Sequence, residues 1–152
     1  MIIIKNPCGG IENNESILGV SIRGKKGDKM ITVKTFSRQI IINVYENDRI
    51  VDFYGRTKFC IKGSNLTDFY GRTLYRVDGD YVKDFYGKML YKLSGNEFKD
   101  FYGKTLLKFE SDSIKDFYGK YLYIFTGNLD NLHKMILGTL YMEYGSIENA
   151  IK

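Results

Sequence analysis

Residues 51–130 read VDFYGRTKFCIKGSNL, TDFYGRTLYRVDGDYV, KDFYGKMLYKLSGNEF, KDFYGKTLLKFESDSI and KDFYGKYLYIFTGNLD. One 16-residue unit occurs five times, and every copy holds an unbroken Asp-Phe-Tyr-Gly followed by a basic residue. Asp52, Asp68, Asp84, Asp100 and Asp116 suit the first position of a type I turn, where the side chain accepts a nearby backbone N–H. Gly55, Gly71, Gly87, Gly103 and Gly119 can take the left-handed conformation that closes a three-residue hairpin loop. A second turn signal follows in Gly63-Ser64, Gly79-Asp80, Gly95-Asn96 and Gly127-Asn128, where a leading Gly fits a type II′ turn. The fourth copy has Glu110-Ser111-Asp112-Ser113 at this place and no Gly, which predicts a looser turn.

Short strands are expected between the turns, about two per copy. A two-residue turn at Gly95-Asn96 sets Leu93 opposite Phe98, and a three-residue loop at Phe85–Gly87 sets Leu90 opposite Val82. Leu90 and Leu93 are three apart and cannot share one face of a regular strand, so a bulge or two environments must intervene. A hairpin this small cannot bury its own apolar side chains, so neighbouring copies must supply the core. A linear array or a ring of hairpins meets that need, and the near-identity of the copies favours the ring.

The DFYGK–LY–GN pattern, whole in Asp84–Asn96, resembles the bacterial hairpin-repeat proteins described as β-flower domains. The resemblance covers residues 51–130 and rests on a turn motif. It implies an all-β fold of five 16-residue hairpins set as petals in a flower-like ring or short closed assembly, and it carries no activity with it.

Outward from the repeats, residues 1–50 read as an N-terminal β segment with a degenerate partial copy. In 36–51 Asn47-Asp48 takes the Gly-Asn position and Ile50 the Phe98 position. Leu18–Arg23 and Met30–Phe36 are strand-like about a hairpin at 24–28, Ile2–Ile4 is a further strand candidate, and Asn6–Ser16 reads as a loop. Residues 131–152 change period: Leu132, Met135, Ile136, Leu140 and Tyr144 recur every three to four residues. That predicts one helix near 130–144, capped by Asn128 or Asp130 and ended by Gly145. Such a helix could plug or cover the hairpin assembly, or dock on a second subunit, and Gly138 could permit close packing. The three segments together are expected to form one compact domain.

Composition narrows the chemistry. The 152 residues include 13 Tyr, 10 Phe and 16 Gly, with one His, two Cys and no Trp. A His/Cys metal centre or a Ser-His-Asp triad has little to be built from, so no cofactor, metal or catalytic residue is expected. His133 reads as a helix-surface or packing residue. Two cysteines make no disulfide framework, Cys8 could be a reactive loop thiol, and Cys60 falls in the column of Arg76, Lys92 and Lys108. No export signal or membrane span is visible, which makes the cytoplasm the expected compartment. The net charge of +5 is spread along the chain and carries no specific nucleic-acid signature.

Two repeated series are candidate binding residues: Tyr54, Tyr70, Tyr86, Tyr102 and Tyr118, and Arg56, Arg72, Lys88, Lys104 and Lys120. The tyrosines could anchor a protein or stack on sugars, or could cover neighbouring hairpins, which is the favoured expectation. The cations could hold a polyanion along one rim, or be neutralised locally, as Lys88 by Asp84. The leading expectation is a non-enzymatic structural or protein-interaction module that meets a protein partner or, as a homo-oligomer, a second copy of itself. A carbohydrate-binding module using the tyrosines is the alternative, and an enzyme with its site outside the repeats is a weaker one.

Overall fold

The computed structural model describes Cys8, residues 30–45 and residues 49–152. The expected strands at Ile2–Ile4 and Leu18–Arg23, the hairpin at 24–28, most of the Asn6–Ser16 loop and the Asn47-Asp48 turn lie outside the described residues. Twelve strands follow one another as β1 Met30–Thr35, β2 Ile40–Tyr45, β3 Arg49–Asp52, β4 Thr57–Lys62, β5 Asn65–Asp68 and β6 Thr73–Asp78, then β7 Tyr81–Asp84, β8 Met89–Ser94, β9 Glu97–Asp100, β10 Thr105–Phe109, β11 Ser113–Asp116 and β12 Tyr121–Thr126. Among the described residues, helices α1 Asn131–Tyr144 and α2 Ile147–Ala150 follow β12.

Every strand pairs antiparallel with its sequence neighbours, and β1 pairs with β12 from Thr32↔Thr126 to Thr35↔Tyr123, closing one barrel. This overturns the β-flower resemblance and the arrangement of five petal-like hairpins. The all-β character stands, but the copies are segments of one continuous hydrogen-bonded wall, which β1 and β2 complete. The physical reason is edge satisfaction. Separate petals would each leave strand edges with unpaired N–H and C=O groups, and closure leaves none.

Two local devices shape the wall. Gly63, Gly79 and Gly95 open two-residue turns with φ near +63 to +65°, as a type II′ turn requires. The carbonyls of Ser64, Asp80, Asn96 and Asp112 then accept the N–H of Val77, Leu93, Phe109 and Phe125 at 2.8–3.0 Å, latching each turn to the next copy. Ser111-Asp112 turns without any left-handed residue. Gly127-Asn128, expected to turn a hairpin, instead leaves the sheet toward α1. At the other end a β-bulge interrupts each of the six hairpins. Val82 faces Tyr91 and Lys83 faces Met89, so Leu90 is the extra residue and the expected Leu90–Val82 pair does not form. Leu93 does face Phe98. Ile41, Lys58, Leu74, Leu106 and Leu122 are the equivalent extra residues. Bulges add the bend that short strands need to close.

The lumen holds the core. Ile42, Ile50, Leu66, Val82, Phe98, Leu107 and Ile114 point inward from the wall and are almost completely buried. On α1 the six consecutive residues Met135–Leu140 are all buried. Six residues exceed one helical turn, so α1 is enclosed on every side. Neither covering one end nor facing a second subunit, it fills the barrel. Asp130 caps it through the His133 N–H, and Gly145 ends it at φ 86°. His133 is buried with it, its Nδ1 2.6 Å from Asp130 Oδ1. Chain direction sends α1 back toward the loops that start with Asp: Lys134 reaches Asn96 at the opposite end.

Cys8 and Cys60, 52 positions apart in sequence, form a buried disulfide. Cys8 is therefore no reactive thiol, and Cys60 sits in an outward-facing column yet is fully covered. Such bonds form and persist in oxidising compartments, so the bond corrects the expectation of a cytoplasmic protein.

A Cβ on Gly138 would stand 2.7–2.9 Å from three ring carbons of Phe98. Gly138→Ala should lower the thermal midpoint by overpacking worth about 1–3 kcal/mol, despite the better helix propensity of Ala. Adding Phe98→Leu should restore part of the loss in the same melting experiment. Reducing Cys8–Cys60 should cost about 4 kcal/mol on chain-entropy grounds for a loop of this length, measured by denaturant unfolding with and without reductant.

Candidate functional site: an aromatic crown

All five Asp-Phe-Tyr-Gly loops lie at one end of the barrel, because each joins a short strand to the following long one. Asp84 shows the design. Its Oδ1 accepts the backbone N–H of Tyr86 and of Lys88, each at 2.9 Å. Its own N–H bonds to the Lys88 carbonyl, and its carbonyl accepts the Gly87 N–H. Gly87 has φ +89° with open space about it, so Gly is there for its backbone conformation alone. Asp52, Asp68, Asp100 and Asp116 repeat these bonds with Tyr54 and Arg56, Tyr70 and Arg72, Tyr102 and Lys104, and Tyr118 and Lys120. Gly55, Gly71, Gly103 and Gly119 share the left-handed conformation.

The carboxylates thus hold the loops, and the aromatic rings are left outside. Tyr54, Tyr70, Tyr86, Tyr102 and Tyr118 are 77–89% exposed, and the preceding Phe residues are also exposed. Each Phe–Tyr pair meets edge to face at 5.2–5.4 Å between centroids. The expectation that these tyrosines cover neighbouring hairpins does not hold. The packing tyrosines are others, Tyr75, Tyr91 and Tyr123, which face the lumen.

Sequence reasoning missed a sixth loop. Thr35-Phe36-Ser37-Arg38-Gln39 repeats the backbone bonds, Thr35 N–H to Gln39 carbonyl and Arg38 N–H to Thr35 carbonyl. Arg38 takes the glycine's place at φ 73°, and Phe36 is exposed and stacks on Tyr121. Its first residue stands 17 positions before Asp52, outside the 16-residue frame. The Phe and the aligned Thr were the signal available.

The basic series divides in two. Arg56 and Arg72 pair through Nε with Asp52 and Asp68 at 2.9 and 2.6 Å, and lie over the rings of Tyr54 and Tyr70. Among the described residues Lys88, Lys104 and Lys120 join no salt bridge, so the expected Asp84–Lys88 neutralisation is absent. A guanidinium fork can bridge back to a carboxylate already committed to the backbone, and a lysine ammonium here does not.

Inside the crown the C-terminal end of α1 forms the floor. Glu143 accepts hydrogen bonds from the hydroxyls of Tyr75, at 3.2 Å, and of Tyr91. Glu148 accepts from Tyr123 at 2.6 Å, whose hydroxyl in turn accepts the Ile147 N–H. Burial, then the adjacent carboxylate, raise the Tyr75, Tyr91 and Tyr123 phenols well above their ordinary range. They stay neutral donors, which anchors the helix end and removes them as acid–base groups near neutral pH. Among the described residues no group of three or more His, Cys, Asp or Glu side chains could hold a metal. No helix there is long and apolar enough to cross a membrane.

No family model, curated protein or solved structure matches the chain.

Burial raises the Asp52 and Asp68 carboxyls, but the Arg backbone N–H, the Arg guanidinium and the Tyr N–H outweigh it and hold both below the ordinary 3.8. A depressed folded-state value contributes stability above the unfolded value and loses it as pH falls through the folded one. Acid titration of stability should therefore decline below about pH 4, less steeply in Asp68→Asn. At neutral pH, Asp84→Ala should cost about 1 kcal/mol in denaturant unfolding, since two loop N–H groups lose their acceptor. Tyr86→Ala should stay within about 0.5 kcal/mol of wild type.

Proposed function

We propose that the protein is a non-catalytic recognition module whose aromatic crown engages a partner protein. The observation that carries this reading is the exposure of the five crown tyrosines on loops held by other groups. Asp, Gly and backbone bonds suffice to build each loop, so the Tyr is dispensable to the fold and yet recurs in every full copy. An exposed apolar set of this size, edged by cations, has the composition of an interface core, where Tyr and Arg are enriched as anchors. Edge-to-face contact with the adjacent Phe holds each Tyr ring in place, so less side-chain freedom is lost on binding.

Lys88, Lys104 and Lys120 favour an acidic rim on that partner, while Arg56 and Arg72 are already held by their own loops. Among the described residues, the neutral phenols, the Asp residues committed to loops and the buried His133 offer no pair of titratable groups with separated tasks at the crown. The carbohydrate reading draws on the same tyrosines, and the two part on what the crown retains.

The test uses the Tyr70→Ala/Tyr86→Ala/Tyr102→Ala variant. It should melt within a few degrees of wild type, and a protein cross-linked to the wild-type crown in the extracytoplasmic fraction should be lost. Retention of the same protein by the variant overturns the reading. Selective binding to neutral glycans on an array, lost in the variant, would replace it with the carbohydrate reading.

A further inference from the structure

The outer wall of the barrel carries a second feature that the crown does not explain. Phe98 and Leu93 point into the lumen, so Lys92 and Lys99, one residue away on each strand, point outward. They are direct cross-strand partners. Arg76 and Lys83 are partners in the preceding hairpin, and Lys108 and Lys115 in the following one. Six successive strands, β6 to β11, thus each present one cation, in three directly opposed like-charge pairs. The same register in three successive copies puts the pairs at one level around the barrel.

Like charges set opposite each other destabilise a sheet. The local carboxylates relieve half of the row: Lys83 meets Asp78 at 3.0 Å, Lys99 meets Glu97 at 3.8 Å and Lys115 meets Glu110 at 3.1 Å. Among the described residues Arg76, Lys92 and Lys108 join no salt bridge. Arg76 and Lys92 lie instead over the rings of Phe85 and Tyr81, at 5.8 and 6.0 Å, and Lys115 lies over Tyr121 at 4.4 Å. All three rings are exposed. The pattern stops where the wall changes character: one copy earlier the same two positions are Cys60 and Thr67, both buried, and one copy later the first is Ile124.

We infer that this wall, from β6 to β11, binds a linear acidic polysaccharide. Arg76, Lys92 and Lys108 meet its anionic groups, and the exposed Tyr81 ring beside Lys92 offers apolar contact to a sugar. Each of these cations lies two strand spacings from the next, about 10 Å, so the ligand must be long and evenly charged. An acidic peptide fits less well, because a closed barrel offers no free strand edge for an extended chain to join. Nucleic acid fits less well with a protein whose disulfide places it in an oxidising compartment. The repulsion that the local carboxylates leave in the row falls further when an anion meets Arg76, Lys92 and Lys108, which gives these cations a use beyond solubility.

The probe is heparin, a linear sulfated glycosaminoglycan of alternating uronate and glucosamine, immobilised for retention and titrated in solution, with hyaluronate as a carboxylate-only glycan. Arg76→Gln/Lys92→Gln/Lys108→Gln should bind heparin about tenfold or more weakly and with a flatter salt dependence. Its melting temperature should equal or exceed that of wild type, since like-charge pairs are relieved. Lys88→Ala/Lys104→Ala/Lys120→Ala, on the crown, should bind nearly as wild type. Unchanged heparin affinity in the wall variant, or an equal loss in the crown variant, overturns the inference. So does equal affinity of the wild-type protein for polyglutamate or a single-stranded oligonucleotide, which would leave only general polyanion attraction. If the wall variant melts early, Lys92→Gln alone against Lys88→Ala alone gives the same comparison. Failure here leaves the crown reading untouched, as the two use different residues.

Discussion

A closed barrel of twelve strands must fill its own interior. About eight strands make a barrel that side chains can fill, and more strands leave a wider space. Here the strands are four to six residues long, so the wall alone offers few inward positions. Helix α1 supplies the missing volume. Its burial on all sides, the removal of every atom beyond Cα at Gly138 and the contact of Phe98 with that bare position all answer one demand for close packing. The hydrogen bonds of Glu143 and Glu148 to lumen tyrosines then fix how far along the axis the helix sits.

With the interior settled, the two ends of the barrel are free to differ. The end carrying Gly-led turns is latched by backbone bonds from copy to copy. The end carrying Asp-led loops is stiffened within each loop, so no loop needs its neighbour's side chains. That independence is what leaves the Phe and Tyr rings in solvent. Side-chain charge follows the same division: arginine copies neutralise their loops, and lysine copies leave a cation at the surface.

The sequence made the repeat, the turn chemistry and the helix legible because these are local. Asp84, Gly87 and Gly95 occupy conformations that their own side chains or lack of them specify. The Leu90–Leu93 spacing left a bulge or two environments open, and the bulge at Leu90 decides between them. A ring was favoured over a linear array, but closure of one continuous sheet was not legible. It depends on β1 meeting β12, and nothing in Thr32 or Thr126 announces a partner more than ninety positions away. The disulfide was missed for the same reason, since pairing of Cys8 with Cys60 is a fact of the folded surface. The crown tyrosines were misjudged by counting apolar material, when the helix already supplied what the core lacked. The sixth loop escaped because a one-residue offset defeats a fixed frame.

Helix α1 has a consequence for the history of the gene. Near-identical copies invite unequal recombination, which adds or removes one 16-residue unit at a time. Each such event changes the circumference by two strands, while the helix keeps a diameter of about 10 Å. A narrower wall would have no room for it, and a wider one would leave it loose. The helix therefore acts as a gauge, and drift in copy number is checked by a segment that lies outside the repeats altogether.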